Sequence, residues 1–171
     1  ALSYAPLFID REVAVIGDGE LAQRSTAELA TVAKHATLIC PLETLPVTPI
    51  SERLKKSANV TILTGHQVID VKGDDYAKSL LVRDRQGKTA ELSAEGTFVE
   101  MALVPNSQIV ADFVALDEQK RIIIDCGNHT SVPGIFAAGD VTNTYAEQVL
   151  VAVGEGAKAA LSAYDYLLTL P

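Results

Sequence analysis

Residues 12–33 constrain the fold of this chain more than any other stretch. Glu12–Ile16 reads EVAVI, an apolar and largely β-branched run of strand length. It is closed by Gly17-Asp18-Gly19-Glu20-Leu21-Ala22, and from Gln23 to Ala33 the spacing turns helical through Leu21, Ser25, Leu29 and Val32. The two glycines allow a tight turn and close backbone approach. The helix that follows presents unpaired N–H groups and the positive end of its dipole to an anion. Strand, Gly-x-Gly-x-x-Ala and helix in this order predict a βαβ unit of the Rossmann type, with Gly17, Gly19 and Ala22 against the pyrophosphate of a dinucleotide.

Two residues in the same turn work against that ligand. Asp18 and Glu20 place carboxylates at the helix N-terminus, where each stabilises the empty helix by about 0.3–1 kcal/mol and opposes an incoming anion. In such units an acid about 20 residues past the glycines accepts from the adenosine 2′-OH. The sequence has Cys40 there, and Glu43 reaches for the ribose from the following loop. No Lys or Arg stands between His35 and Arg53, so a 2′-phosphate has no cation to pair with and NADH is expected over NADPH. On this reading an arginine at position 40 would move affinity towards NADPH.

The chain has 171 residues, 48% of them apolar, which is enough for one ordinary domain or two small ones with filled cores. With 14 basic against 22 acidic residues the formal net charge is −8, so nucleic acid and anionic membranes are not expected as partners. No apolar run reaches the roughly 18–20 residues that span a bilayer, and a cytoplasmic protein is the expectation. After the first unit, residues 36–40 read as a second strand, 51–56 as a short helix behind Pro46 and Pro49, and 60–63 as a third strand. Residues 67–72, 79–84 and 88–93 read as an antiparallel meander with Gln86-Gly87 at the last turn, and residues 97–102 return to the main sheet. A boundary is placed within residues 102–106. Beyond it, 121–125 and 134–138 read as β, and 145–168 as a long helix with apolar residues at helical spacing.

The segment Gly134-Ile135-Phe136-Ala137-Ala138-Gly139-Asp140 delivers one carboxylate to a strand end among small residues, and Gly154-Glu155-Gly156-Ala157 lies in the helix behind it. Together with Ser3-Tyr4, Val15-Ile16-Gly17, Phe98-Val99 and Pro105-Asn106, this order resembles the thioredoxin reductase family of two-dinucleotide-binding flavoproteins. Within that family it is most similar to the flavoprotein subunits of alkyl hydroperoxide reductases. The resemblance implies an α/β, Rossmann-like three-layer domain with an antiparallel meander over residues 1–102, binding the pyridine nucleotide. Residues 103–171 are then the C-terminal part of a second, incomplete FAD-binding domain. It implies FAD in a longer protein, with Gly139, Asp140, Gln148 and Val149 at the flavin and the amides of Gln148 and Val149 opening the helix towards it. It also implies dinucleotides as small-molecule partners, a protein electron acceptor, and a homodimer. Ala1 is not a natural start, and the first FAD-binding piece is expected upstream.

Three departures from the family pattern matter. Its Cys-x-x-Cys-Asp-Gly is missing where Tyr4-Ala5-Pro6-Leu7-Phe8 runs straight through, which removes the thiol relay from flavin to a partner disulfide. Ala102 replaces a glycine beside the nicotinamide ribose and adds a Cβ there. Glu147 stands before Gln148 where relatives carry a base. Cys40 and Cys126, far apart and at expected strand ends, are read as small buried or half-buried hydrophobes, and His35, His66 and His129 as surface or capping residues without a metal. The expected function is therefore a flavin- and NAD(P)H-dependent oxidoreductase without its dithiol, its flavin passing electrons directly to an acceptor. The alternative is a degenerate, non-enzymatic scaffold used for interaction or oligomerisation.

Overall fold

The computed structural model describes residues 3–101 and 103–171 and divides into two compact units, Ala1–Ala102 and Leu103–Pro171. In the first unit, strands β1 (Glu12–Ile16), β2 (His35–Cys40), β3 (Val60–Thr64) and β7 (Gly96–Val99) form one parallel sheet in the order β3-β2-β1-β7. Val13 and Val15 pair in register with Ala36 and Leu38, and Val15 with Phe98 on the other side. Both faces of this sheet are covered, which is why β1 and β2 read as near-continuous apolar runs. On one face Val13, Val15, Leu38 and Cys40 pack under helices α1 (Glu20–Leu29) and α2 (Pro49–Leu54) and a 3₁₀ turn, Ala5–Phe8. On the other, Ala14 and Ile39 meet Leu80 and Val82 of an antiparallel meander, β4 (Gln67–Gly73), β5 (Ala77–Arg83) and β6 (Thr89–Ser93). The result is the expected Rossmann-like three-layer α/β domain.

Local chemistry explains where the elements stop. The β5–β6 hairpin closes through Asp84, whose Oδ1 accepts from the amides of Gln86 and Lys88 at 2.9 Å each, while Gly87 adopts φ +85°. Helix α2 starts earlier than its sequence pattern indicates. Thr48 caps it in a reciprocal box with Ser51, and Pro49, read as a breaker, occupies a first-turn position where its missing N–H costs nothing. Helix α1 is shorter than expected: it ends at Leu29, and Thr31 to Ala33 turn back by bonds such as Ala33 N–H to Leu29 C=O at 2.8 Å. Its buried face is Ala22, Ser25, Thr26 and Leu29, and Leu21 lies off it. Small residues face the sheet because the helix sits too close to β1 for a leucine.

The second unit departs further from the sequence reading. Among its described residues pairing is limited to isolated bridges, Leu116 with Ile122, Ile122 with Thr142 and His129 with Phe136, so residues 121–125 and 134–138 do not form the expected strands. Asp125 is one reason: its Oδ1 accepts from the amides of Gly127 (2.8 Å) and His129 (2.9 Å), bending the chain, and Asn128 follows at φ +64°. Helix α3 (Val149–Leu168) begins four residues later than expected because Gln148 is extended, at φ −138° and ψ 139°. None of its residues is buried, and Val153, Leu161 and Leu168 of its apolar stripe are all more than 60% exposed.

Candidate functional site

In the order β3-β2-β1-β7 the connections leave β1 in opposite directions, so the crevice of this open sheet lies at the carboxyl ends of β1 and β7. Gly17 follows β1, and Glu100 follows β7, donating its N–H to Ile16 C=O at 2.8 Å. A Cβ on Gly17 would lie 2.3 Å from the Glu100 carbonyl oxygen and 2.6 Å from the Ala22 Cβ. Gly17 is therefore required for packing helix to strand, and Ala22, buried beneath it, belongs to the same close approach. Gly19 differs: its φ of −114° suits any residue, and a Cβ there would meet no atom within 4 Å. What Gly19 supplies is clearance over the N-terminus of α1, the space a pyrophosphate takes.

The acids of the turn are placed as the sequence indicates. Asp18 is half-buried, and exposed Glu20 faces Arg24 at 3.6 Å, which offsets part of its charge. Ser25 Oγ donates to Glu100 Oε1 at 2.9 Å, tying the end of β7 to α1. Ala102, expected beside the nicotinamide ribose, lies outside the described residues.

At the end of β2 the structure rearranges the expected ribose reader. Cys40 is fully buried in the helix-side core, and burial pushes its thiol pKa up. Its side chain is thus directed away from any ligand, and an arginine there would enter the core instead of reaching a phosphate. Glu43 stands free of that core and forms an ion pair with Arg85 from the β5–β6 turn, 42 residues away in sequence. Gln23, buried on α1, holds the intervening loop: its Nε2 donates to the Pro46 carbonyl at 2.9 Å and its Oε1 accepts from Thr48 Oγ1. Neither Arg85 nor Gln23 was visible as a site residue, since nothing local marks a partner so distant.

The second unit holds its own turn. Gly139, at φ +79°, donates its N–H to Glu155 Oε2 at 3.1 Å, and its carbonyl accepts from the Thr142 amide (2.9 Å) and hydroxyl (2.7 Å). Glu155 Oε1 accepts in turn from Thr144 Oγ1 at 2.9 Å, so one carboxylate of α3 fixes both ends of the 139–144 loop. A Cβ on Gly139 would come within 3.2 Å of the Ala152 Cβ. Asp140 is left exposed on a cavity of about 280 Å³ shared with Pro105, Asn106, Arg121 and Glu147. Gln148 caps α3 without a side-chain bond, and Val149 opens it almost fully exposed. Glu155 lies inside a motif the sequence displays, but its role emerges only in three dimensions.

The thiols behave differently from one another. Cys126 is exposed in a turn, not at a strand end as expected, and is not a packed hydrophobe. Native protein should therefore react with one equivalent of a maleimide, at Cys126, and take up the second only after denaturation. Two rapid equivalents in native protein, counted by mass, would contradict the placement of Cys40. His129 also has an acid within reach, Asp125 at 3.0 Å, though no cluster of three or more potential metal ligands occurs among the described residues.

A parallel sheet with a glycine turn at its switch point and a meander on its far face defines a dinucleotide-binding protein of the α/β class. Residues 3–156 match the family described as pyridine nucleotide-disulphide oxidoreductase, and the chain belongs to that family. Within it the chain is thioredoxin reductase-like and close to the flavoprotein components of alkyl hydroperoxide reductases. It is 39% identical over 165 residues to the alkyl hydroperoxide reductase component of Staphylococcus aureus, covering 95% of this chain and 32% of the relative. The thioredoxin reductase of Streptococcus pyogenes superposes with a TM-score of 0.86 at 28% identity, over 98% of this chain and 56% of that one. That of Lactococcus lactis gives 0.73 at 30% identity, over 99% and 57%. The chain thus spans about a third of the curated relatives and somewhat over half of the solved ones.

Proposed function

We propose that these 171 residues are the pyridine-nucleotide unit and the closing part of the FAD unit of a thioredoxin reductase-like, NADH-dependent flavin oxidoreductase that works without a redox dithiol. The observation that carries this is the pair of glycines at the β1–β7 switch point, Gly17 tightly packed and Gly19 open, in a chain of this family. When bound, FAD supplies two-electron exchange between a nicotinamide and an acceptor. The chain's own residues position and tune. The α1 N-terminus offers amides to the pyrophosphate, and Asp18 and Glu20 weaken the hold. Ala102 crowds the nicotinamide ribose. Around Gly139, the Glu155 clamp keeps the backbone in a shape that lets Asp140 accept from a cofactor hydroxyl.

The 3₁₀ turn Ala5–Phe8 stands where relatives carry the cysteine pair, and it is built for packing: Phe8 lies edge-to-face on Phe98 at 5.2 Å and fills the space above Gly96. Electrons on this reading leave flavin directly for an acceptor, a small molecule or a protein. The protein is proposed to be cytoplasmic, in keeping with the finding that no helix of the described residues is long and apolar enough to cross a membrane. The exposed stripe of α3 supports a homodimer.

The same features support one other reading, a non-enzymatic scaffold, through the acidic glycine turn. Cofactor content separates the two. The 171-residue chain alone should purify without stoichiometric FAD, since it holds a single glycine-turn signature, whereas the product of the complete open reading frame should purify yellow. A colourless complete product would favour the scaffold.

A further inference from the structure

The loops at the carboxyl ends of β2 and β3 and the β5–β6 turn enclose a cleft of about 420 Å³ lined by Pro41, Gly65, Arg83, Asp84 and Arg85, continuous along Arg85 with a smaller one that includes Glu43. Gly65, at φ +66°, donates its N–H to the Leu42 carbonyl at 2.7 Å, which ties the β3 loop to the chain just after β2. Arg85 lies across that glycine: a Cβ on Gly65 would meet its Nε, Cδ and Cγ at 3.5–3.6 Å. The guanidinium is thus held between the Gly65 backbone and the Glu43 carboxylate. Within the cleft two guanidiniums, Arg83 and Arg85, face two carboxylates, Asp84 and Glu43, and the formal charges cancel.

From this arrangement we propose that Glu43 and Arg85 together form the adenosine-ribose reader and set the choice of nucleotide. The proposal rests on the nicotinamide-binding reading above and names the residues that decide it. Glu43, held in place by Arg85, accepts hydrogen bonds from the ribose 2′-OH in place of the acid that Cys40 cannot supply. The same carboxylate occupies the arginine that would otherwise pair with a 2′-phosphate, and it leaves the cleft without net positive charge for a dianion. Glu43 therefore selects for the hydroxyl and against the phosphate in one contact. Arg85 is a positioning residue for NADH and a latent ligand for NADPH.

The test is titration of the 171-residue chain with NADH and NADPH, followed by amide chemical shifts so that millimolar binding is measurable. Wild type should bind NADH and bind NADPH far more weakly. Glu43→Gln, which keeps the shape and removes the charge, should weaken NADH about tenfold and strengthen NADPH about tenfold, the size of one charge-assisted hydrogen bond gained or lost. Arg85→Gln should weaken NADH severalfold without helping NADPH, and adding it to Glu43→Gln should cancel the NADPH gain, which loss of folding could not mimic. If wild type binds NADH but Glu43→Gln leaves the ratio of the two affinities unchanged, the reader is wrong while the nicotinamide site stands. Equal wild-type affinity for both nucleotides would also overturn it. If wild type binds neither, the nicotinamide site itself falls and the reader with it.

Discussion

Gly17→Val should cost about 3 kcal/mol or more and leave the first unit poorly folded, because overpacking against a fixed backbone has nowhere to relax. The nearest atom to the new Cβ, at 2.3 Å, is the Glu100 carbonyl oxygen, and the next, at 2.6 Å, is the Cβ of Ala22. The first lies at the end of β7 and the second in the first turn of α1, so relief requires moving the helix off the sheet. That would open the core formed by Val13, Val15, Leu29 and Leu38. Gly19→Ala is the matched control: with open space around its Cβ it should stay within about 1 kcal/mol of wild type, the scale of an N-cap change. Urea unfolding followed by far-ultraviolet circular dichroism reads both. Equal midpoints for the two variants would show that the turn is not packed as described.

Cys40→Arg should be at least as damaging, by about 4 kcal/mol, even though the same change is the natural one to try when seeking a 2′-phosphate clamp. Cys40 is completely buried among Val15, Leu38 and Leu54, and the upward shift of its thiol reflects how poorly a charge is tolerated there. An arginine at this point must either bury an unpaired cation or push α1 and α2 from the sheet. Cys40→Ala, which only removes a sulfur, should cost about 1–2 kcal/mol, the range of a small core truncation. A Cys40→Arg protein with wild-type stability and new affinity for NADPH would restore the sequence-based view of position 40 and remove the case for Glu43 and Arg85.

Position 40 also shows where sequence reasoning loses hold. Counting from the glycine turn finds the end of β2 correctly, because strand and turn spacing are local and the alternation of Val13, Val15, Leu38 and Cys40 is written in the chain. Which side of the sheet residue 40 faces follows from that same alternation. What occupies the vacated role does not. Arg85 arrives from a hairpin 42 residues on, Gln23 reaches a loop more than 20 residues away, and Glu155 ties down Gly139 from the next helix. Each is a polar partner chosen by tertiary placement, and none leaves a periodic signal.

Misplaced elements have equally physical causes. Leu21 fits a helical stripe on paper, yet the close approach at Gly17 demands alanine and serine on the buried face. The apolar run Ile122–Ile124 and the segment before Gly139 have strand-like composition, but Asp125 and Asn128 spend the intervening chain on a turn, and among the described residues only isolated bridges form. Both glycine turns, by contrast, were legible because each needs glycine for a steric reason that no other residue satisfies.

The central claim is that a flavin in this protein takes electrons from NADH and hands them on with no dithiol between. Anaerobic titration of the complete open reading frame's product with NADH, following flavin absorbance, tests it most directly. The account predicts full bleaching at one equivalent of NADH per flavin, with no additional thiols appearing in a maleimide count of the reduced protein. A flavin that fails to bleach, or one that needs two equivalents and exposes a new pair of thiols, would contradict it.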